Sequence, residues 1–285
     1  MFAIIGSVVV AVAVIGGYLM EHGNLSVLWQ PAELVIIGGA SVGAFIIGYP
    51  LKVHKAVLDF FMRVITNKAA YSKDDYMELL LLLNDIFSKI RKDGLISIES
   101  DVDSPAKSKI FSKYPRFLAR HHALDFVTDT LRTVMTTTIE SHELEALLDT
   151  ELEAHHEEAL TPSASVNTVA DALPGLGIVA AVLGIVLTMQ KMGEPPEVLG
   201  HSIGSALVGT FLGVLLSYGF MGPLARALEM VAKEDFEYIT VLKVAIMAFI
   251  RGAPPQISVE FGRRVIPTTA RPPFAQVEEA LRHKK

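Results

Sequence analysis

Between Val169 and Met189 the chain reads VADALPGLGIVAAVLGIVLTM, an apolar run that carries a proline near its start and no charge after Asp171. About 20 apolar residues suffice for a helix to cross the hydrocarbon core of a bilayer, so this run predicts a membrane span. Pro174 has no N–H to offer the carbonyl of Ala170, and its ring crowds that turn, so a bend or a loosened hydrogen bond is expected there. In lipid a freed carbonyl must be met by a neighbouring helix, a hydroxyl or water. The span is therefore expected to pack inside an assembly, with a wet path alongside as one means of satisfying it.

Three further runs fit the same description. Phe2 to Met20 lacks the basic start and small-residue cleavage site of a signal peptide and reads as an uncleaved span. The link Glu21 to Gln30 holds no Lys or Arg, and its Trp29 suits a membrane interface. A second span, Glu33 to Tyr49, follows Pro31, a favourable residue at a helix start. Lys52, His54, Lys55 and Arg63 come after it. Since Lys and Arg beside a span end stay cytoplasmic, the amino terminus and the region after Lys52 are expected inside. The third span then runs outward, Lys191 to Val198 turns outside, and a fourth span, Leu199 to Phe220, returns to Arg226 and Lys233. Both termini are thereby expected in the cytoplasm. Spans alternating with a polar portion account for 51% hydrophobic residues beside 20% charged ones.

Residues 54–166 contain no run apolar enough to span, and their periodicity is that of amphipathic helices, so a helical cytoplasmic domain is expected there between spans at 1–53 and 167–223. Ser72 with Asp75 resembles a capping box, Tyr76 to Arg91 has helical spacing, and Gly94 suits a stop. The leucine run Leu79 to Leu83 is too short to span and is expected to be buried packing. Phe117 to Ile139 and His142 to Leu160 read as further helices, the latter with Leu144, Leu147, Leu148 and Leu152 on one face, and Thr161-Pro162-Ser163 leads back to the membrane. Residues 224–285 are expected to extend the fourth helix from Ala225 to Ile250, end it at Gly252 and Pro254-Pro255, and finish in a tail lying on the surface rather than in a core. The fold class is all-α, a polytopic membrane protein with four transmembrane helices.

The glycine pairs Gly39-xxx-Gly43, Gly200-xxx-Gly204 and Gly209-xxx-Gly213 let helix backbones approach closely. Packing within one chain and contact between chains are both open readings. Thr210 in the fourth span is open in the same way, between a hydroxyl bonded back to its own helix and one lining a pore. No ionisable residue lies near the middle of any span; Asp171, Glu33 and His201 are near ends. Ion-coupled machines hold a charge at depth, so if this chain conducts, a partner supplies the carrier group, and otherwise it anchors without conducting.

Enzyme readings find little support: GxxxxGK[ST], HExxH and GxSxG are all missing from the sequence. There is no cysteine, so thiolate chemistry and cysteine metal sites are excluded. His121-His122 and His155-His156 are adjacent pairs whose side chains diverge on a helix, which reads as a solvated face rather than a metal site. No cofactor is called for, and the net charge of −6 is not gathered into a nucleic-acid patch.

The order of two spans, a long polar segment, two spans and a tail carries QPAELVIIGGA at 30–40, LPGLGIVAAVLGIV at 173–186, VGTFLGVLLSYGF at 208–220 and VEFGRR at 259–264. In these motifs together it resembles the motility protein A family, the stator subunits of the flagellar motor. The resemblance implies a homo-oligomer, a ring of about five such chains around a dimer of motility protein B, whose single span carries the ion-binding aspartate. It implies force on the rotor switch protein G through a charged pair that falls on Arg91 and Glu99, and conformational coupling through prolines that fall on Pro174 and Pro223. Without the resemblance, the charges read as solvated, and the prolines as helix punctuation. Sodium-driven members carry a threonine in span three where this chain has Ala181, so Ala181 and Thr210 mark the ion path and protons are the expected ion. The related proton channels that energise outer-membrane transport or envelope maintenance are the alternative, and they usually have three spans. A scaffold that conducts nothing is a third reading.

Overall fold

The computed structural model describes residues 2–66 and 71–282, and among them every regular element is helical. α1 (Phe2–Met20), the short α2 (Leu25–Leu28), α3 (Pro31–Gly48) and α4 (Leu51–Thr66) come first. α5 (Lys73–Asp93), α6 (Glu99–Asp103), α7 (Pro115–Leu118) and α8 (His121–Thr136) follow. Then come α9 (Ser141–Met189), α10 (Pro196–Val214), a π-helical segment Leu215–Met221 and α11 (Gly222–Ile250), with α12 (Pro255–Val265) and α13 (Phe274–Arg282) last. Four helical stretches are long and apolar enough to cross a membrane: Phe2–Met20, Leu25–Gly48, Ser141–Met189 and Pro196–Ile250. The chain divides into two units, one holding the described residues up to 66 together with 159–231, the other 71–158 and 232–282, so α9 and α11 give residues to both.

In the first unit α1 buries none of its side chains, and Phe2, Val8 and Val12 are more than half exposed. A helix apolar all round needs lipid or another chain as its solvent. Ile37 of α3 packs with Leu173 and Ala180 of α9, joined by Leu176 and Leu212. α9 and α10 meet through glycine. A Cβ on Gly177 would lie 2.7 Å from the Gly209 carbonyl oxygen, and one on Gly213 would lie 2.6 Å from that of Leu173. Gly209-xxx-Gly213 is thus used inside the chain, whereas Cβ atoms on Gly39, Gly43, Gly200 or Gly204 would meet no atom within 4 Å.

One sequence expectation fails here for a local reason. Thr161-Pro162-Ser163 does not interrupt α9, which runs through both Pro162 and Pro174. A proline inside a helix costs about 3 kcal/mol, and the packing of Val166 against Ala225 and Leu228 opposes that cost. The amphipathic pattern expected from residue 54 onward starts at Leu51, in α4, with Val53 buried and Leu51, Leu58 and Met62 exposed.

In the second unit the capping box is complete, Ser72 accepting from the Asp75 N–H and Asp75 from that of Ser72, and Gly94 ends α5 at a φ of 86°. Leu79, Leu80, Leu82 and Leu83 are fully buried, and Phe87 stacks on Phe249 at 4.3 Å. The expected helix Phe117 to Ile139 is instead α7 and α8, broken at Arg120, which leaves helical geometry at φ −100° and ψ 78°. Its guanidinium sits 4.3 Å over the Tyr71 ring and 3.7 Å from Asp75. The tail is not a surface segment either. Val259, Ile266, Val277 and Leu281 are buried in this core, and Gly262 packs so closely that a Cβ there would lie 3.2 Å from the Val241 carbonyl oxygen. VEFGRR therefore docks α12, while Arg263 bonds both oxygens of Glu260 and the Pro272 carbonyl.

The histidine pairs are only partly a solvated face. His121 and His122 are exposed, but His155 and His156 are half-buried, each with a buried Nδ1 that has no hydrogen-bond partner. His155 meets the His122 ring edge at 4.9 Å, and His156 lies 4.4 Å from the Phe236 ring. Among the described residues no group of three or more His, Asp or Glu is placed to hold a metal ion.

Candidate functional site

The first unit holds four of the residues singled out from sequence. Pro174 is half-buried inside α9, beside buried Leu173 and one turn from buried Ala170, so its missing donor falls in a packed stretch. Ala181 is half-buried on the same helix, and its backbone nitrogen borders the gap over Gly209. Thr210 is the next residue of α10. It is half-buried and makes no hydrogen bond to a described residue, so the back-bond to its own helix, which Thr188 makes to Gly184 at 2.9 Å, is absent.

Pro223 does not sit at a helix end, as the fourth span read from sequence implied. It is the second residue of α11, within one helical stretch from Pro196 to Ile250, directly after the π-helical turn. The reason is local. With no N–H at Pro223 the Gly219 carbonyl loses its α-helical donor, and the ladder widens, the Gly222 N–H donating five residues back to Ser217. Such single π turns recur where helices serve function rather than packing alone.

Sequence position gave no sign of what Glu33 does. It stands in the first turn of α3, near a span end, yet its side chain is only 8% exposed. Its Oε2 is buried and without a hydrogen-bond partner. A Cβ on Gly209 would lie 2.5 Å from that oxygen, 3.0 Å from the Ala180 methyl and 3.1 Å from the Ala181 nitrogen. The carboxyl thus reaches the level of Ala181 and Thr210. Only the glycines opposite it hinted at such a seat.

In the second unit Arg91 lies in the last turn of α5 and Glu99 in the first turn of α6. Both are exposed, and neither has an ion pair with a described residue. The turn between them is rigidly founded. Ile98 is buried, and Asp101 accepts from Lys89 at 2.7 Å and from the Ser108 hydroxyl at 2.5 Å. Ser108 in turn accepts from the Ile110 and Phe111 N–H groups. Burial alone would raise the Asp101 carboxyl, but the bonds from Lys89 and Ser108 and the Lys89 charge outweigh it and hold the group below the usual range.

Residues 4–94 match the motility protein A N-terminal domain, and residues 119–240 match the MotA/TolQ/ExbB proton channel family. The motility protein A of Salmonella typhimurium is 42% identical over 282 residues, covering 99% of this chain and 95% of its own. The chain belongs to the motility protein A family. The fold agrees: the C. jejuni MotAB structure is matched with a TM-score of 0.75 at 17% identity, covering 93% of this chain and 95% of that one. The flagellar MotAB stator complex of Bacillus subtilis is matched with a TM-score of 0.73 at 20% identity, covering 99% and 98%. As a motility protein A the chain is a multi-pass membrane protein of a channel family rather than of an enzyme family. Its N-terminal match includes Glu33 and Arg91, and its channel match includes Pro174, Ala181, Thr210 and Pro223. Glu99 falls between the two.

Proposed function

We propose that this chain is the stator subunit of a bacterial flagellar motor and forms with motility protein B a proton channel that converts ion flow into force on the rotor. The observation that carries this reading is the family match over the whole length at 42% identity. The N-terminal match at residues 4–94 favours it over an energiser of outer-membrane transport, since that segment belongs to motility protein A specifically. The four apolar stretches argue the same way.

In this reading the chain sits in the inner membrane with both termini in the cytoplasm, and residues 71–158 and 232–282 face the rotor. About five copies surround two chains of motility protein B, whose single span brings the ion-binding aspartate. Arg91 and Glu99, exposed and without ion partners of their own, are available to opposite charges on the rotor switch protein G. Pro174 and the π turn before Pro223 are points where the helix ladder is already loosened, suited to a repeated small rearrangement. Ala181 and Thr210 border the ion path.

Deleting the gene should leave flagellar filaments assembled but paralysed. In liposomes the chain alone should carry no proton flux, and coexpression with motility protein B should create it. Comparable flux from the chain alone, or normal swimming in the deletion strain, would overturn the reading.

A further inference from the structure

The carboxyl of Glu33 is a group for which the mechanism above has no use. It is nine-tenths buried, its Oε2 has no partner, and its seat is walled by Gly209 and the Ala180 methyl, with Gly184 also close, a Cβ there lying 3.7 Å from Oε1. No described residue bonds or ion-pairs this carboxyl. The titratable groups that α10 carries, Glu197 and His201, and those of α9 nearest its membrane run, Asp171 and Lys191 beyond its end, make no bond to it; Lys191 bonds Ser202 instead. Gln30, just before α3, bonds Ser205 of α10 at 3.0 Å and pins the start of α3 against that helix, so the carboxyl is held in place. One carboxylate oxygen, Oε2, is closed off among glycine and alanine without a donor, which disfavours the charged form, whereas a neutral carboxylic acid is accommodated.

We infer that Glu33 is a proton-binding site contributed by this chain to the outer part of the ion path, seated between α9 and α10 in its protonated form. The inference rests on the stator reading, which puts the link before α3 on the outer side. Uptake joins a proton from hydronium to a carboxylate oxygen and leaves water; release breaks that O–H bond and returns the proton to water in the path. Because the seat disfavours the anion, release accompanies withdrawal of the side chain from Gly209. Sodium is a poor occupant, since a hard cation takes several oxygen ligands and the walls here are methyl and methylene.

The test uses the complex coexpressed with motility protein B, in proteoliposomes, with wild type, Glu33→Gln and Glu33→Asp. Gln fills the same seat without a titratable proton, and Asp keeps the acid but draws it back from Gly209. Proton flux should fall by roughly tenfold or more in Glu33→Gln, the scale set by a positioned proton-transfer group. Infrared difference spectra between acid and alkaline outer buffer should show a protonated-carboxyl C=O band in wild type that Glu33→Gln lacks. Should the Gln complex fail to assemble, Glu33→Asp takes its place, with reduced flux and a shifted band expected. Wild-type flux in an assembled variant, or a band unchanged by it, overturns the inference, as does flux through wild type that requires sodium. A wild-type complex that carries no proton flux refutes the stator reading instead, and the infrared band still decides Glu33.

Discussion

Arg91 and Glu99 are placed by elements that do not need their charges: α5 is anchored by its leucines and the intervening turn by Ile98 and the Asp101 network. Exposed charges of this kind contribute about 0–1 kcal/mol to stability. Arg91→Glu or Glu99→Lys should therefore leave membrane level and complex assembly unchanged while impairing swimming, and opposite reversals on the rotor should partly restore it. Loss of the protein in immunoblots of either variant would assign the charges to the fold. Asp101→Ala should instead loosen the turn, since it strands Lys89 and Ser108. A different residue, His155, makes a pH prediction. Burial first and then the neighbouring His122 hold its imidazole below its ordinary value, with Asp235 and Glu158 opposing. The unfolded chain therefore binds that proton first as pH falls through about 6.5, so the stabilisation is full above that pH and is lost as pH drops through the folded value. Amide hydrogen-exchange protection at residues 141–158, after correction for the intrinsic pH dependence of exchange, should fall in mild acid, and His155→Gln should flatten that dependence; equal slopes in both proteins would reject it. None of this was legible from the adjacent histidines alone, because their burial depends on Phe236 and His122, which are distant in sequence.

Elements were most legible where one physical signal acted alone. The four apolar runs, the Ser72–Asp75 cap and the Gly94 stop follow from length, hydrogen-bond chemistry and φ, and all are present. Reading failed where tertiary contacts overrode local chemistry: α9 persists through Pro162, Arg120 breaks a helix that periodicity would continue, and the tail enters the core through Val259, Ile266 and Val277. The π turn was hidden because Pro223 looked like an ending, while the helix resumes after it. Glycine spacing likewise could not separate its two uses. Gly213→Ala should push α9 from α10 against backbone atoms at 2.6 and 2.8 Å, and overpacking of this kind costs about 1–3 kcal/mol. A Cβ on Gly39 meets no atom of a described residue beyond its own helix within 4 Å, so Gly39→Ala should change stability by no more than about 0.5 kcal/mol. Thermal unfolding of the purified chain in detergent separates the two, and equal loss in both variants would contradict the assigned packing. Pro174→Ala returns a donor to the Ala170 carbonyl and should stiffen α9. Assembly should survive and torque under high load should fall; unchanged torque would leave Pro174 without a mechanical part.

For the whole molecule the question is which ion drives it, and the answer lies in how many oxygens the spans can offer. A bare hard cation such as sodium takes about six ligands. The methyl of Ala181 supplies none, and Thr210 supplies one hydroxyl per chain, free of any bond to its own helix. One oxygen is a thin substitute for a shed hydration shell. A proton needs no such cage, because it moves along hydrogen-bonded water and rests on carboxylates, the partner's and, on the inference above, Glu33. The match of residues 119–240 to a proton channel family points the same way. Swimming speed in sodium-free potassium buffer at fixed pH should therefore equal that in sodium buffer, and an uncoupler that collapses the proton gradient should stop the cells in both. Ala181→Thr adds the hydroxyl that sodium-driven relatives carry, yet it should not by itself create sodium dependence, since the remaining ligands are still missing. Speed that collapses without sodium and survives the uncoupler would refute proton coupling and require a second source of oxygen ligands beside Thr210.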